Sequence, residues 1–260
     1  MDIVILGSGN IATHLGRAFK MAGQNITQVW SRTNDHAVEL ADMLAAEAIA
    51  DISDLSRSAD LYIIAVNDEA IRDVALELKT EDKLIVHTSG STALSALEGI
   101  SEKIGVFYPL QTFSKIKSVD FRQIPIAVEA NTPETLLIIR AIADRLSEKV
   151  IEMCSEQRRA LHIAAVFACN FTNHLFGLSK ELLDEQNLDF DLLKPLIAET
   201  INKIEFNDPV SVQTGPAIRS DQVTIEAHLE LLRNKPELSE IYRKLSQSIV
   251  NLHERSQGLI

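Results

Sequence analysis

The sequence is poor in cysteine, in basic residues and in long apolar runs. Cys154 and Cys169 are the only cysteines, and without metal-ligand spacing they predict neither a disulfide framework nor a metal site. The formal net charge of -12 argues against a general nucleic-acid or anionic-membrane surface. No apolar run reaches the roughly twenty residues that span a bilayer, and the chain starts with a strand rather than a basic signal peptide. These absences predict a cytoplasmic protein with no nucleic-acid or membrane partner.

The chain has 260 residues, 46% of them hydrophobic, which is enough for two domains with cores of their own. Short apolar runs alternate with helical patterns in the first half, as in an α/β fold with a doubly wound, mainly parallel sheet. We predict this domain at 1–153 and an all-α domain at 154–260. The predicted strands cover 3–6, 27–30, 61–66, 84–87, 104–108 and 126–129. The predicted helices start near residue 10 and then cover 36–46, 68–78, 93–99, 133–146, one long stretch at 155–185, 192–204, 223–232 and 236–253.

A glycine motif follows the first strand directly. Gly7 permits a tight turn, Gly9 lets the backbone approach a pyrophosphate, and Ala12 is small enough for close packing of helix on strand. The free N–H groups and the dipole at the start of the next helix favour phosphate. The motif therefore predicts a Rossmann-type dinucleotide site contacted by Gly7, Ser8, Gly9, Asn10 and Ile11.

The second strand ends in Ser31 and Arg32, which favours NADP(H) as the cofactor. An Asp or Glu at this place would bond with the ribose 2′-OH of NAD, whereas an Arg pairs with the 2′-phosphate of NADP. We therefore expect Ser31 and Arg32 to bind the cofactor. The alternative is that Arg32 is a solvated loop residue and that Asp35 caps the following helix.

Polar residues follow the next strands, whose carboxyl ends should lie beside the glycine loop. Val66 and Asn67 are predicted to line the cofactor, whereas Asp68 is predicted to start a helix. Farther on, Gln111 is predicted to contact substrate in the segment Tyr108–Thr112, although packing alone would explain the tyrosine.

The segment HTSGS, at 87–91, combines hydroxyl groups with a permissive glycine. We expect His87 and Thr88 to contact the cofactor and Ser89 to contact the substrate. Serine and threonine in such a loop equally serve to cap the next helix, so both interpretations stay open.

Three more segments are distinctive: YPLQTF at 108–113, HIAAVFACN at 162–170 and TGPAIRSD at 214–221. With the glycine motif, Ser31, Arg32 and HTSGS, they resemble the Rossmann-type NADP oxidoreductases that include pyrroline-5-carboxylate reductase and deazaflavin-dependent NADP oxidoreductase. The resemblance covers essentially the whole chain and is strongest to relatives with a helical C-terminal domain of unknown function. It implies an NADP-binding domain, a helical substrate and dimerisation domain, and a cleft between them.

The first long helix carries the candidate catalytic residues, His162 and Asn170. Hydroxyacid dehydrogenases of similar build have a proton-donating Lys four residues before the Asn, where this chain has Val166. His162 lies eight residues before Asn170, slightly more than two helical turns, so both side chains can face one cleft. A histidine can donate a proton to an oxyanion or take one from an alcohol. The alternative is a hydrogen-bonded histidine that packs between helices.

In TGPAIRSD, we expect Thr214 and Arg219 to contact the substrate. The alternative is a turn between helices in which Asp221 is a cap and Arg219 forms a surface ion pair.

Together these residues predict an NADP-dependent oxidoreductase that transfers hydride between nicotinamide and a small, unidentified substrate. Within enzymes, an imine reductase is the alternative, since an imine arrives already protonated and needs no lysine. Outside enzymes, the alternative is an NADP-binding sensor or regulatory dimer that lacks turnover. A homodimer is expected because the long helix is rich in apolar residues: Ile163, Val166, Phe167, Phe171, Leu175 and Phe176.

Overall fold

The computed structural model describes residues 1–78, 80, 82–114 and 119–258. Strands and helices alternate in the first half and helices follow, which confirms the predicted fold class. The strands are Asp2–Leu6 (β1), Asn25–Trp30 (β2), Glu47–Ile49 (β3), Leu61–Ile64 (β4), Leu84–His87 (β5), Lys103–Pro109 (β6), Ile126–Ala130 (β7) and Val150–Glu152 (β8). The helices are Asn10–Met21 (α1), Asn34–Leu44 (α2), Ile71–Leu78 (α3), Pro133–Ala143 (α4), Ser155–Ala165 (α5), Thr172–Asp184 (α6), Lys194–Phe206 (α7), Gln222–Leu231 (α8) and Pro236–Ser256 (α9).

The eight strands form one sheet in the order β3-β2-β1-β4-β5-β6-β7-β8. All neighbours are parallel except β6 and β7. The sequence did not predict β3 and β8, which have three residues each and carry too little pattern to identify. Strand β4 ends at Ile64, earlier than the predicted 66, so Val66 and Asn67 lie in the loop beyond it.

Both faces of this sheet are covered. Ile3 and Ile5 of β1 belong to one buried cluster, whereas Val4 and Leu6 belong to a second cluster on the opposite face. All four side chains are fully buried, which is the pattern of a central parallel strand. Because both faces of the sheet are covered, a ligand can approach the strands at the polar loops along their carboxyl edge.

Two helical predictions were wrong in detail. The stretch predicted as a helix at 93–99 contains only a short 3-10 turn, Leu94–Leu97, and Gly99 then takes a positive φ of 75°. The long helix predicted at 155–185 contains a π-helical segment, Val166–Phe171, between α5 and α6. A π turn places an extra residue in the helix and shifts the direction of the side chains after it.

The chain divides into two compact units, Met1–Asn170 and Phe171–Ile260. The division comes later than the domain boundary predicted after Met153, because the start of α5 is bonded to the sheet. Ser155 donates to the Glu129 carboxylate of β7, and the buried Arg158 pairs with the same carboxylate. The predicted boundary still coincides with the end of the last strand and the start of α5.

The helical stretch Ser155–Asp184 is, among the described residues, long and apolar enough by length and composition to cross a membrane. The sequence, by contrast, predicted no apolar run of that length. Helices that pack in soluble proteins satisfy the same criteria, so this stretch does not by itself indicate a membrane span.

Candidate active site

The glycine loop has the conformation that the sequence predicts. Gly7 has a φ of 126°, and a Cβ added there would lie 2.1 Å from the Ala65 carbonyl oxygen. Its N–H donates to the Trp30 carbonyl, 2.7 Å away. Gly9 is the N-cap of α1, and a Cβ added to it would meet no atom within 4 Å. Gly9 therefore leaves open space at a helix N-terminus, which fits a pyrophosphate that approaches the backbone.

Asn10 connects this loop to the segment after β6. Its Nδ2 donates to the Phe113 carbonyl at 2.9 Å. Ile11 is partly buried and packs against the core cluster beneath α1. Asn10 therefore holds the end of YPLQTF close to the glycine loop, an arrangement that the spacing in sequence did not reveal.

Beside the glycine loop lies a cavity of about 370 Å³ that contains Ser8, Ser31 and Arg32. The hydroxyls of Ser8 and Ser31 are 2.8 Å apart, and the Arg32 side chain is exposed. No carboxylate lines the described part of this cavity, whereas a site for the ribose 2′-OH of NAD uses one. Asp35 lies in the first turn of α2 rather than at its N-cap, which is Thr33. The residues present therefore fit the 2′-phosphate of NADP.

A second cavity of about 800 Å³ adjoins the first, because Gly9, Ala65, Val66 and Asn67 border both. It brings together most of the predicted site residues from the first compact unit. They are Gly9, Asn10, Ile11, Val66, Asn67, Gln111, His162 and Asn170. The π-helical segment supplies part of this wall, which includes the free Cys169.

Tyr108 and His162 form a hydrogen-bonded pair in the larger cavity. The Tyr108 hydroxyl lies 3.1 Å from His162 Nδ1, and the two rings meet edge to face. Burial raises the pKa of Tyr108 above its usual value, so the phenol stays neutral. The backbone of Gly90 passes directly over the pair, since a Cβ there would lie 2.7 Å from His162 Nδ1. The sequence singled out His162 and left open whether Tyr108 lines the cleft or only packs. It gave no sign that the two side chains form a pair.

The polar side chains of the loop after β5 are held by contacts within the fold and are not exposed to the larger cavity. His87 is fully buried, and its Nδ1 accepts from the Ser89 N–H. Burial and the nearby Arg158 guanidinium lower the pKa of His87 from 6.5 to about 4. Thr88 is 3% exposed. The Ser89 hydroxyl accepts from the N–H groups of Ser91 and Thr92. Ser89 thus closes a local turn and does not cap the next helical turn, whose N-cap is Ala93. Burial gives no support to cofactor contacts by the side chains of His87 and Thr88.

An ion pair that the sequence did not predict lies beneath this loop. The Arg158 side chain is fully buried and pairs with the Glu129 carboxylate. It also donates from Nε to the Ser89 carbonyl at 3.2 Å and from Nη2 to the Thr92 carbonyl. An arginine in the first turns of a helix usually indicates a solvated face, so nothing in the sequence distinguished Arg158 from its neighbour Arg159.

Thr214 and Arg219 lie in the second compact unit, and both are exposed there. Gly215 between them has a φ of 110°, and Asp221 caps α8 by accepting from the Thr224 N–H at 3.1 Å. The hydrogen bonds from Thr224 lower the pKa of Asp221. The turn and the cap in the alternative interpretation are thus present, while the predicted substrate contacts of Thr214 and Arg219 stay predictions.

Comparisons with known proteins agree with this geometry. Residues 2–90 match the model of the coenzyme F420-dependent NADP oxidoreductases, and residues 124–249 match DUF2520, a domain of unknown function. Among curated proteins, none matches the chain. A candidate NADP oxidoreductase from Bacteroides fragilis is 44% identical, covers 96% of this chain and 98% of its own, and superposes with a TM-score of 0.92.

Two solved structures at lower identity share the fold. An imine reductase from Myxococcus stipitatus, in complex with NADP+, is 18% identical, covers 100% of this chain and 95% of its own, and has a TM-score of 0.61. A 1-pyrroline-5-carboxylate reductase from Streptococcus pyogenes is 13% identical, covers 96% of this chain and 98% of its own, and has a TM-score of 0.65. The glycine loop, the cavity at Arg32 and the Bacteroides relative agree with one another. The chain therefore belongs to the NADP oxidoreductase family and is an NADP-dependent oxidoreductase of a small-molecule substrate.

Proposed function

We propose that this oxidoreductase transfers hydride between NADP(H) and a small C=O or C=N compound in the cavity of about 800 Å³. The shared border of the two cavities carries this proposal. The smaller cavity is lined by Ser31 and Arg32, and the larger one by His162 and Asn170. Both cavities are also lined by Gly9, Val66 and Asn67. Arg32 would then hold the 2′-phosphate of a dinucleotide bound along this border, and the larger cavity, lined by His162, would receive its other end.

In this proposal His162 transfers the proton and Asn170 polarises the substrate oxygen or nitrogen. NADPH, held by the glycine loop and Arg32, would supply the hydride for this reduction. The substrate heteroatom gains its proton from the imidazole, so the C=O or C=N bond is reduced with charge in balance. We also propose that Gln111, which lines the same cavity, contacts substrate. Ser89, Thr214 and Arg219 are the further substrate contacts that we propose, although the Ser89 hydroxyl already accepts from the Ser91 N–H.

A His162→Gln variant tests the catalytic role. With NADPH and phenylglyoxal as the carbonyl compound, we expect kcat to fall by about 10²–10⁴. Reduction of pyrroline should fall less, because this imine can arrive already protonated. NADPH binding should change little, because the glycine loop and Arg32, which we propose to bind the phosphates, are not altered. His174→Gln is the control, since His174 is an exposed histidine of α6 in the second compact unit, and this variant should keep the wild-type kcat. Full turnover by His162→Gln would contradict the assignment.

The second candidate function is an NADP-binding sensor without turnover. Val166, where dehydrogenases of similar build carry a lysine, favours it. Tight NADPH binding together with no reduction of pyrroline, phenylglyoxal or any other imine or carbonyl compound tested would support this function over the enzyme. Faster reduction of pyrroline than of phenylglyoxal would support the imine reductase alternative.

We propose further that the protein acts as a cytoplasmic homodimer. Large apolar side chains are exposed in the chain, including Ile163, Phe167 and Phe171 of the predicted set, while Val166, Leu175 and Phe176 are half-buried. Phe206 of α7 is 82% exposed, which is unusual for so large an apolar side chain. Sedimentation equilibrium should give twice the chain mass of 28.8 kDa. A monomer mass, or partition of the protein into lipid vesicles, would contradict this proposal.

A further inference from the structure

His162 presents two ring nitrogens in very different surroundings. Nδ1 lies 3.1 Å from the Tyr108 hydroxyl and is covered by Gly90, where a Cβ would be only 2.7 Å away. The half-buried ring lines the large cavity. With Nδ1 enclosed, Nε2 is the nitrogen left to meet a substrate.

We propose that Tyr108 is a positioning residue that holds a proton on His162 Nδ1, so that Nε2 alone exchanges a proton with the substrate. This inference rests on the proposed function, in which His162 is the acid or base. It adds which nitrogen reacts and which side chain selects it.

The chemistry of the pair supports this direction of the hydrogen bond. A protonated imidazole carries hydrogens on both nitrogens, so Nδ1 must donate and the Tyr108 oxygen must accept. When Nε2 gives its proton to the substrate heteroatom, the ring becomes neutral with its remaining proton on Nδ1. In the reverse reaction Nε2 takes the proton back. The buried phenol remains neutral throughout, so Tyr108 is neither the source nor the sink of the proton.

Gly90 fixes the geometry from the other side. A Cβ at this position would lie 2.8 Å from Tyr108 Cζ as well as 2.7 Å from His162 Nδ1. The φ of Gly90 is not positive, so an alanine there strains no backbone and costs only space. The Gly90→Ala change should therefore push the two rings apart while the strand and helix stay in place.

Three charged groups act near this pair. Arg158 lies four residues before His162 on α5 and is paired with Glu129 of β7. Asp68, beyond β4, accepts from the Ser91 hydroxyl on the loop that carries Gly90. The variants below leave all three groups unchanged, so any altered behaviour of His162 comes from the contact with Tyr108.

Nitrogen NMR of the ¹⁵N-labelled, NADP+-bound protein tests the inference without a substrate. At a pH where the ring is neutral, His162 should carry its proton on Nδ1, with signals assigned by their loss in His162→Gln. In Tyr108→Phe, which keeps the ring but removes the hydroxyl, the proton should move to Nε2 in most molecules. Gly90→Ala should cause a partial change in the same direction. A wild-type ring protonated on Nε2, or no change in Tyr108→Phe, would overturn the inference.

The chain contains a matched control for this experiment. In the second unit, His228 Nδ1 lies 2.9 Å from the Tyr242 hydroxyl, again with an edge-to-face contact. Tyr242→Phe should change the signals of His228 and leave those of His162 unchanged. If His162 responds to Tyr242→Phe as it does to Tyr108→Phe, the effect is not local and the inference fails.

Kinetics separate this inference from the proposed function. With phenylglyoxal as substrate, Tyr108→Phe should lower kcat by about tenfold to a hundredfold and leave KM little changed, because orientation rather than binding is lost. Wild-type kcat in Tyr108→Phe would overturn the positioning role while His162 catalysis stands. An inactive wild-type protein with the Nδ1-protonated ring would refute the proposed function and leave the tautomer assignment in place.

Discussion

The Arg158→Met variant should lose about 3–5 kcal/mol of unfolding free energy, because the change leaves the Glu129 carboxylate without its cation in a largely buried site. The carbonyls of Ser89 and Thr92 would lose their donors as well. Urea unfolding followed by the emission of Trp30 measures this loss. Trp30 is the only tryptophan and lies at the end of β2, so it reports on the first compact unit.

Arg159→Met is the matched control for this prediction. Arg159 is the next residue on α5, 47% exposed and paired with Glu156 in the adjacent turn. An exposed pair of this kind contributes little to stability, so the unfolding midpoint should hardly move. Replacing both Arg158 and Glu129 with methionine should recover part of the loss, since no buried charge is then left alone. Equal midpoints for Arg158→Met and Arg159→Met would refute the role of the buried pair.

Stability should also fall as pH is lowered from 6.5 toward 4, by about 3 kcal/mol from His87 alone. Above pH 6.5 this side chain is neutral in both the folded and the unfolded chain. Between pH 6.5 and about 4 the unfolded chain binds a proton on His87 that the folded protein does not, so unfolding becomes easier. Burial and the Arg158 guanidinium cause this difference, as they disfavour the imidazolium in the fold.

Urea unfolding at pH 7 and at pH 5, compared between the wild type and His87→Gln, tests this prediction. A glutamine does not titrate, so the variant should lose less stability than the wild type on acidification. His36→Gln removes an exposed histidine of α2 and should keep the wild-type slope. The same loss in His87→Gln and in the wild type would contradict the account.

Most of the fold could be predicted from the sequence because the signals are local. The apolar runs 3–6 and 84–87 match observed strands closely, and Pro133 marks the start of α4. Shorter elements carry too little pattern, as in Glu47–Ile49 and Val150–Glu152. The π-helical Val166–Phe171 could not be predicted, since no proline or glycine interrupts it and the shift depends on packing.

The residues of the candidate site also differ in how far the sequence could predict them. The conformation of the glycine loop could be predicted because it depends on the backbone of these residues alone. Binding of the 2′-phosphate by Arg32 stays a prediction. The roles of Tyr108, Glu129 and Arg158 could not be predicted, because they depend on partners far away in sequence. His87 attracted attention as a polar residue at a strand end, but burial decides its behaviour, and burial at a loop depends on the whole fold.

Calorimetric titration with NADPH and with NADH tests the central claim most directly. We expect NADPH to bind more tightly than NADH, and Arg32→Ala to weaken NADPH binding by about tenfold to a hundredfold while NADH binding is unchanged. The physical reason is the charge-assisted hydrogen bond that Arg32 would donate to the 2′-phosphate, a group that NADH lacks. Equal affinities for the two nucleotides, or no binding of either, would contradict the assignment of this cavity to NADP.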